Sequence, residues 1–571
     1  MTALLGFIGR LKKSLPDQHP LLEKLKSRHE DDPFALMRAV SERHLLPHSR
    51  ICQLWGDSIG KAYVNPFEVQ LPEGEGKQLP RKVAAIANAI VLNSLSDTAT
   101  IGMADPLNER LIASFKKILG LEISPVFSHP DDIAAVIDLH FTNEQTLADN
   151  LQKACDNLPT LEGGREIESE KDADKLLQGE SFNELFNSIL FTSFGRKASD
   201  IHFEVDVSEG RVRMRIDGRM NHIITLPRLV YNAMIVRIKV LSNLDISQSR
   251  MPQDGAFEIQ FGGKRLAFRA STMPTIYGQK AVLRLLGAPG QQSSPKLSTV
   301  GFSNSIRRAV ERGIARPNGI IFCCGPTGSG KTTTLYSCLA EINKPDVNIT
   351  TLEDPVEIRL PSITQHQVNH TIDLNFARLL RGVLRQDPDV VLVGEIRDAE
   401  TATIATEAAL TGHLVLSSLH TNDSIQAITR LLELGVAAHM VAPTVVGILS
   451  QRLVRRICSA CKETYTPTRA ELQPYFQDPN PDDVMLYRGK GCPRCFGTGF
   501  SGRTGVHEYL EVSEEMRDLI ITRAEPSKLV EEAKRSGYRP MRYDALKKVL
   551  MGWTTLEEVE KGTLPEMSYR H

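Results

Sequence analysis

The chain contains the run Gly319-Ile-Ile-Phe-Cys-Cys-Gly-Pro-Thr-Gly-Ser-Gly-Lys331-Thr332. Its apolar first half predicts a buried strand, and Thr333–Cys338 can open a helix. The Gly-x-x-x-x-Gly-Lys-Thr pattern between them predicts a loop whose backbone N–H groups surround phosphate oxygens. Lys331 would supply charge to the β- and γ-phosphates of ATP, and the Thr332 hydroxyl would bind Mg²⁺. The predicted nucleotide-binding residues are Gly325, Pro326, Thr327, Gly328, Ser329, Gly330, Lys331, Thr332 and Thr333.

Strand and helix patterns continue to alternate from about residue 300 to residue 455. Val390–Val393 and Leu414–Ser417 are short apolar runs, which are typical of strands buried in a parallel sheet. We therefore expect an α/β core over residues 289–457.

Acidic residues follow two strands predicted downstream of the loop. Thr351–Glu357 presents Glu353 and Glu357 after the first strand, and the apolar run Asp389–Glu395 ends in Glu395. Carboxylates in these positions can hold the hydration shell of Mg²⁺ or orient an attacking water. The sequence therefore predicts ATP hydrolysis, and leaves open which of the three glutamates activates the water.

Two histidines flank the next predicted strand, His413 before it and His420 after it. An imidazole beside the nucleotide can donate a hydrogen bond to the γ-phosphate and respond to its loss. The alternative is a purely structural role for both side chains. Of the two, His420 is the catalytic candidate.

Four of the nine cysteines form two Cys-x-x-Cys turns, Cys458/Cys461 and Cys492/Cys495. Four thiolates complete a closed tetrahedral shell for a structural Zn²⁺. The stretch between the turns exceeds the usual spacing of about 15–20 residues, which predicts a small subdomain over residues 458–500. The other five are predicted to be unpaired core residues, and this usage favours the cytoplasm; they are Cys52, Cys155, Cys323, Cys324 and Cys338.

The sequence before the α/β core divides into three regions. Residues 1–158 mix helical patterns with short strands, for example at Ala84–Leu92, and predict an α/β domain. The acid-rich stretch 159–180 predicts a solvated linker. Residues 181–288 begin with a helix and continue with period-two strands, which predicts a small α+β domain.

Charge and hydropathy give no indication of a nucleic-acid-binding or membrane-spanning protein. The 68 basic and 69 acidic residues nearly cancel, so no overall field favours nucleic acid. No apolar run approaches the roughly 20 residues that span a membrane. Residues 1–13 predict an amphipathic helix, which either packs within the protein or contacts a membrane or partner.

Four segments resemble, in chain order, the Walker A, Asp, Walker B and His boxes of the type II/type IV secretion ATPase superfamily. They are Gly325–Thr332, Thr351–Glu357, Val390–Asp398 and Thr411–Asn422. Further resemblance lies in Ser199–Glu204, Met251–Gly255, Lys280–Leu286, Met541–Asp544 and Gly552–Glu558. The resemblance covers about residues 181–571. It implies a RecA-like P-loop ATPase core, preceded by a PAS-like α+β domain and followed by a helical C-terminal region over 501–571.

The same resemblance implies a homohexamer with ATP between subunits. The α+β domain of each subunit would then lie over a neighbour's nucleotide. An arginine supplied from a neighbour in this way can be worth about 10³–10⁵ in rate. The candidates are Arg250, beside a Pro-Gln-Asp-Gly turn, and Arg265 or Arg269 on the next strand, of which we favour Arg250 and Arg269.

Within the superfamily, the four cysteines resemble those of pilus-assembly and type II secretion ATPases, whereas retraction ATPases typically lack them. The long N-terminal region agrees, because assembly ATPases use theirs to dock onto inner-membrane proteins. The implied function is a cytoplasmic hexamer at the inner membrane, where ATP hydrolysis turns a platform protein to extend a pilus or pseudopilus. Some relatives carry N-terminal repeats that bind cyclic di-GMP, but residues 1–158 show no recognised signature of these.

Other functions remain as alternatives. A retraction ATPase or a nucleic-acid translocase would share the P-loop, although near-neutral charge and the lack of a basic-aromatic stripe count against nucleic acid. A nucleotide-gated scaffold without hydrolysis would not need the three glutamates. The sequence does not distinguish a pilus machine from a secretion machine.

Overall fold

The computed structural model describes residues 2–28, 32–43, 45–69, 71, 78–141, 149–153, 180–261, 264–286, 295–476, 480–481, 484–492 and 495–563. The chain divides into two compact units, Met1–Ala288 and Pro289–His571. Most of the predicted acidic linker, residues 159–179, lies outside the described residues.

The first half of the first unit contains seven helices and a three-stranded sheet among its described residues. In chain order these are α1 (Thr2–Ser14), a 3₁₀ turn (Pro16–Gln18), α2 (His19–Arg28), α3 (Pro33–Glu42), α4 (His48–Ile59), α5 (Arg81–Ala87), β1 (Ala89–Leu95), β2 (Thr98–Met103), α6 (Glu109–Leu119), β3 (Glu122–Phe127) and α7 (Pro130–Phe141). β2 pairs antiparallel with β1 and parallel with β3. Phe7 and Leu11 of α1 are fully buried, so the N-terminal helix packs within this unit.

The predicted strand at Ala84–Leu92 was wrong in its bounds. These residues form the end of α5 and the start of β1. Asn88 lies between them with a φ of 43°, and this left-handed conformation ends the helix. A continuous apolar run had concealed the break, because helical and strand residues are equally apolar here.

The second half of the first unit is an α+β domain, as predicted. It contains α8 (Glu180–Gly195), β4 (Ala198–Val205), β5 (Glu209–Ile216), β6 (Arg219–Pro227), α9 (Arg228–Leu241), β7 (Gln253–Phe261), β8 (Lys264–Thr275) and β9 (Gly278–Leu286). The strands form an antiparallel sheet in the order β6-β5-β4-β9-β8-β7. On β5, Val212 and Met214 are buried while Arg211 is exposed, which is the alternation of a sheet covered on one face.

The second unit is built around a seven-stranded sheet. Its elements are a 3₁₀ turn (Leu297–Thr299), α10 (Asn304–Ile314), β10 (Gly319–Cys324), α11 (Lys331–Ile342), β11 (Ile349–Glu353), β12 (Thr364–Gln367), a 3₁₀ turn (His370–Ile372), α12 (Phe376–Val383), β13 (Val390–Val393), α13 (Ala399–Leu410), β14 (Leu414–Leu419), α14 (Ser424–Glu433), α15 (Ala438–Thr444), β15 (Val445–Ile457), β16 (Lys462–Tyr465), α16 (Arg469–Leu472), β17 (Leu486–Gly489), β18 (Phe500–Glu511), α17 (Glu514–Ile521), α18 (Pro526–Arg535), α19 (Met541–Leu550) and α20 (Leu556–Gly562).

The main sheet has the order β12-β11-β13-β14-β10-β15-β18. Its paired strands are parallel except for β18, which pairs antiparallel with β15. β10 is an interior strand and is buried on both faces: Cys324 belongs to the apolar cluster on one side and Cys323 to the cluster on the other. Both cysteines are therefore core residues, as predicted.

The predicted C-terminal boundary needs a correction. Residues 501–571 were expected to be helical, but β18 occupies Phe500–Glu511 and forms an edge of the main sheet. Its partner β15 is long enough to leave the core and reach the first Cys-x-x-Cys turn. The helical region begins only at α17. No helix among the described residues is long and apolar enough to cross a membrane.

Candidate active site

The nucleotide loop connects β10 to α11. Gly325, Gly328 and Gly330 have φ values of 147°, 79° and 88°, a region in which glycine is unstrained. A Cβ at Gly325 would also lie 2.5 Å from the Gln451 carbonyl oxygen. Because α11 begins at Lys331, its unpaired N–H groups and the positive end of its dipole face the loop. The predicted strand, loop and helix are all present.

The loop side chains are arranged so that a phosphate can replace internal contacts. Lys331 Nζ donates to the carbonyl oxygens of Gly325 at 2.8 Å and Pro326 at 3.3 Å. Burial lowers the pKa of Lys331, and an anion bound beside it would oppose this effect because it stabilises the charged ammonium group. Thr332 is half-buried, whereas Thr327, Gly328 and Thr333 are exposed.

Gln451 on β15 clamps this loop, although the sequence did not indicate it as a functional residue. Its Nε2 donates to the Ser329 carbonyl at 2.7 Å, and its Oε1 accepts from the Thr334 hydroxyl at 2.8 Å. Gln451 is 1% exposed. A polar Ser-Gln pair inside the apolar strand Val445–Ile457 was the available signal, because a buried amide must find hydrogen-bond partners.

Glu395 and His420 lie together at the same edge of the sheet as the loop. Glu395 follows β13 and His420 follows the neighbouring parallel strand β14. His420 Nε2 is 3.3 Å from Glu395 Oε2, and Arg397 Nε donates to the same oxygen at 2.7 Å. The negative charge of Glu395 also acts on Lys331, whose pKa it raises against the larger effect of burial. The loop, a carboxylate and an imidazole are thus brought to one place.

Glu353 lies at the end of β11 in a different environment. It is 4% exposed, and both of its carboxylate oxygens accept hydrogen bonds. Tyr336 of α11 donates to Oε2, whereas Thr351 and Gln365 donate to Oε1 at 2.5 Å and 3.0 Å. This carboxylate connects the helix that follows the nucleotide loop to the neighbouring strand.

Two further residues predicted for the ATP site, Glu357 and His413, are not both found at the sheet edge that holds Glu395 and His420. Glu357 is exposed in the segment after β11. His413 lies before β14, at the opposite edge of the sheet from His420, and its Nδ1 is 2.9 Å from the Ala408 carbonyl at the end of α13. The structure therefore separates the two histidines, and His413 has a structural contact.

Arg250 and Arg269 belong to the first unit. Arg250 lies in the segment between α9 and β7, where its backbone N–H donates to Gln248 Oε1 at 3.1 Å. Arg269 lies on β8, opposite Ala256 of β7 and Arg284 of β9. Both arginine side chains are exposed. Their action on a neighbouring subunit stays a prediction.

The four cysteines of the two Cys-x-x-Cys turns converge at one point. The sulfur–sulfur distances are 3.8 Å for Cys458–Cys492, 3.8 Å for Cys461–Cys495 and 3.7 Å for Cys492–Cys495. Tetrahedral coordination with Zn–S bonds of about 2.3 Å places sulfurs about 3.8 Å apart. The donor set and its spacing therefore fit Zn²⁺.

The backbone around this cluster favours a thiolate at Cys495, whereas burial raises the pKa of Cys461 and Cys492. The N–H groups of Cys492 and Gly499 donate to Cys495 Sγ at 3.2 Å each. Burial opposes ionisation of Cys495, but hydrogen bonds from these two residues and its sulfur neighbours lower its pKa to about 7. Between the turns, β16 and β17 form a separate two-stranded sheet, which is the small subdomain that the long spacing predicted.

Two family models match the sequence. Residues 176–561 match the family described as type II/IV secretion system protein. Residues 59–147 match the MshEN domain, a family that the patterns in the N-terminal region did not predict.

Three curated relatives are similar over most of the chain. The type IV pilus assembly ATPase PilB of Thermus thermophilus is 38% identical over 520 residues, which is 90% of this chain but only 57% of that protein. PilB of Myxococcus xanthus is 35% identical over 95% of this chain and 96% of its own length. The type II secretion system protein E of Pseudomonas aeruginosa is 40% identical over 81% of this chain and 86% of its own.

Proposed function

This chain belongs to the type II/IV secretion system protein family, and we propose that it is an ATPase that drives assembly of a type IV pilus or a type II secretion pseudopilus. The observation that carries the proposal is the meeting of the nucleotide loop, Glu395 and His420 at one edge of a parallel sheet. Relatives named for pilus assembly and for type II secretion both match most of the chain.

We assign the reaction to residues at this edge. Lys331 would leave its carbonyl partners to bind the β- and γ-phosphates of ATP, and Thr332 would bind Mg²⁺. Glu395 would orient the attacking water, because only its Oε2 is engaged by described residues. His420 would then respond to the γ-phosphate through Glu395, and Glu353 would hold α11 in position.

The four-cysteine cluster supports assembly over retraction. We assign it a structural Zn²⁺, because four thiolates leave no open position for a reacting water. The zinc would hold the small subdomain against the ends of β15 and β18, and the N-terminal unit would dock onto the inner-membrane proteins of the machine.

A strain that lacks the chain tests this function. We expect loss of surface pili or of secreted proteins, restored by the wild type and not by Glu395→Gln. Glu400→Gln is a matched control, because Glu400 is an exposed glutamate that pairs with Arg381 on the surface. Electron microscopy of pili and assays of secreted proteins distinguish the two machines. Retention of both processes in the deletion strain contradicts the proposal.

Sharing of the site between subunits has a separate test. In a homohexamer with arginines acting on a neighbour, Lys331→Ala and Arg269→Ala subunits are each inactive, but mixing them rebuilds some complete sites. We expect partial recovery of ATP hydrolysis in the mixture, and none when Lys331→Ala is mixed with Glu395→Gln. Arg211→Ala, an exposed strand arginine paired with Asp206, should stay active alone. Absence of recovery removes Arg269 from the site.

A further inference from the structure

A second group of metal-binding side chains lies in the first unit, outside the site described above. His48, His129 and Asp132 each place one ligand atom within 4.8 Å of the others. His48 Nε2 is 3.0 Å from Asp132 Oδ2. The same nitrogen is 3.5 Å from Cys52 Sγ, which adds a fourth potential ligand.

The spacing along the chain brings these residues together in two pairs. His48 and Cys52 are four residues apart on α4, so they share one face of that helix. His129 directly precedes α7 and Asp132 lies in its first turn. Each pair is local, as in the two Cys-x-x-Cys turns. Packing of the two helix ends gathers His48, His129 and Asp132, and Cys52 adjoins this group through His48.

Burial leaves atoms of this group without partners. Cys52 and His129 are 0% exposed and Asp132 is 1% exposed. His129 Nε2 and Asp132 Oδ1 have no hydrogen-bond partner, and each unsatisfied buried atom costs about 1–3 kcal/mol. A cation bound between them would satisfy both atoms. The His48 side chain is 17% exposed, which gives solvent a route to the group.

We propose that His48, Cys52, His129 and Asp132 form a binding site for one Zn²⁺ ion. Two imidazoles, one thiolate and one carboxylate are ligands that Zn²⁺ accepts in tetrahedral geometry. Their two negative charges neutralise the ion, which suits a buried position. On binding, the Cys52 thiol releases its proton to solvent and Zn²⁺ takes the freed lone pair.

Binding of the ion requires His129 to exchange one contact. Its Nδ1 now accepts the Asp131 N–H at 3.2 Å. Coordination through Nε2 moves the ring proton to Nδ1, so the Asp131 N–H must give up this contact, and the Asp131 carboxylate, whose Oδ2 is now 3.8 Å away, must move closer to accept a hydrogen bond from the ring. Metal-bound histidines commonly donate their second N–H to a carboxylate. The ion would join α4 to the MshEN-matched region, which contains His129 and Asp132.

Zinc content of the full-length chain tests the site. After exposure to Zn²⁺ and removal of excess metal, we expect His48→Ala to hold one ion per chain fewer than the wild type, by mass spectrometry of the metal. His222→Ala, an exposed histidine of the same unit, should hold the wild-type number. Equal zinc content in the wild type and His48→Ala overturns the proposal.

A second measurement does not depend on correct folding of His48→Ala. In a variant with serine at Cys458, Cys461, Cys492 and Cys495, the four-cysteine cluster has no thiolate left and the N-terminal site is intact. Co²⁺ should still bind to it and give the absorption of a single cobalt–thiolate bond, and adding Cys52→Ala should remove that band. If the four-serine variant binds no Co²⁺, or if its band survives Cys52→Ala, the site does not exist.

Discussion

The ATP site and the four-cysteine cluster are assembled in different ways. The cysteine cluster needs two short turns that are brought together by one strand pair, β15 with β18. The ATP site instead collects residues from the ends of three parallel strands, β10, β13 and β14, of which β10 is distant in the chain from its sheet neighbour β14. The ligands in a short turn are held close together by the local backbone. Residues at the ends of different strands come together only when the sheet packs.

The first prediction concerns the part of the ATP site that is local. Lys331→Ala removes the charge that would bind the phosphates in the ground and transition states. We expect kcat/KM for ATP to fall by about 10³–10⁵-fold, combining about 10–100-fold for charged hydrogen bonds with about 10²–10³-fold for transition-state stabilisation. Steady-state ATPase assays and nucleotide-binding titrations measure this.

The control for that experiment is Lys344→Ala, because Lys344 is an exposed lysine beyond the end of α11. It should retain wild-type turnover. If Lys331→Ala hydrolyses ATP normally, Gly325–Thr332 is not the nucleotide-binding loop. The comparison between a site formed by local turns and a site assembled by packing would then no longer hold.

The fold was predictable wherever one pattern decided the structure. Period-two alternation identified β5, and the apolar runs identified β13 and β14, because burial on one or both faces imposes these patterns. The pattern failed at Asn88, where a single left-handed residue separates helix from strand. It also failed at β18, because pairing with β15 depends on a partner more than 40 residues away.

Glu395→Gln tests the assembled part of the ATP site. The amide keeps the shape of the side chain but cannot orient or deprotonate water as a carboxylate does. We expect kcat to fall by about 10²–10⁴-fold while ATP affinity is retained, as measured by single-turnover hydrolysis and by equilibrium binding. Undiminished turnover would move the role to another acidic residue.

Within the candidate site, residue types were predictable but contacts were not. Glu353 and Glu395 both lie at the ends of strands, and no pattern in the sequence distinguishes their roles. The structure surrounds Glu353 with three donors and leaves Glu395 near His420. Gln451 escaped prediction because its partners on the loop and on α11 are more than 100 residues away.

The four-cysteine cluster should respond to loss of a single ligand. Cys461→Ser replaces a thiolate with a hydroxyl that Zn²⁺ binds poorly. We expect zinc affinity at this cluster to fall by more than about 100-fold, since even an outer-shell partner is worth about 10–100-fold. Zinc content should drop by one ion per chain, whereas Cys338→Ala, a core cysteine away from the cluster, keeps the wild-type content. Unchanged zinc in Cys461→Ser would contradict the assignment.

The smallest loss of activity is expected for substitution of Glu353. This substitution is also the most direct test of whether Glu353 and Glu395 have different roles. Glu353→Gln weakens hydrogen bonds from Tyr336, Thr351 and Gln365 that a buried carboxylate accepts strongly. We expect a loss of about 1–3 kcal/mol in the stability of the ATPase domain, seen as a lower melting temperature. The fall in kcat should be smaller than with Glu395→Gln, since Glu353 acts by holding α11 in place. If Glu353→Gln leaves the melting temperature unchanged but removes turnover, Glu353 activates the water and the roles proposed for the two glutamates are reversed.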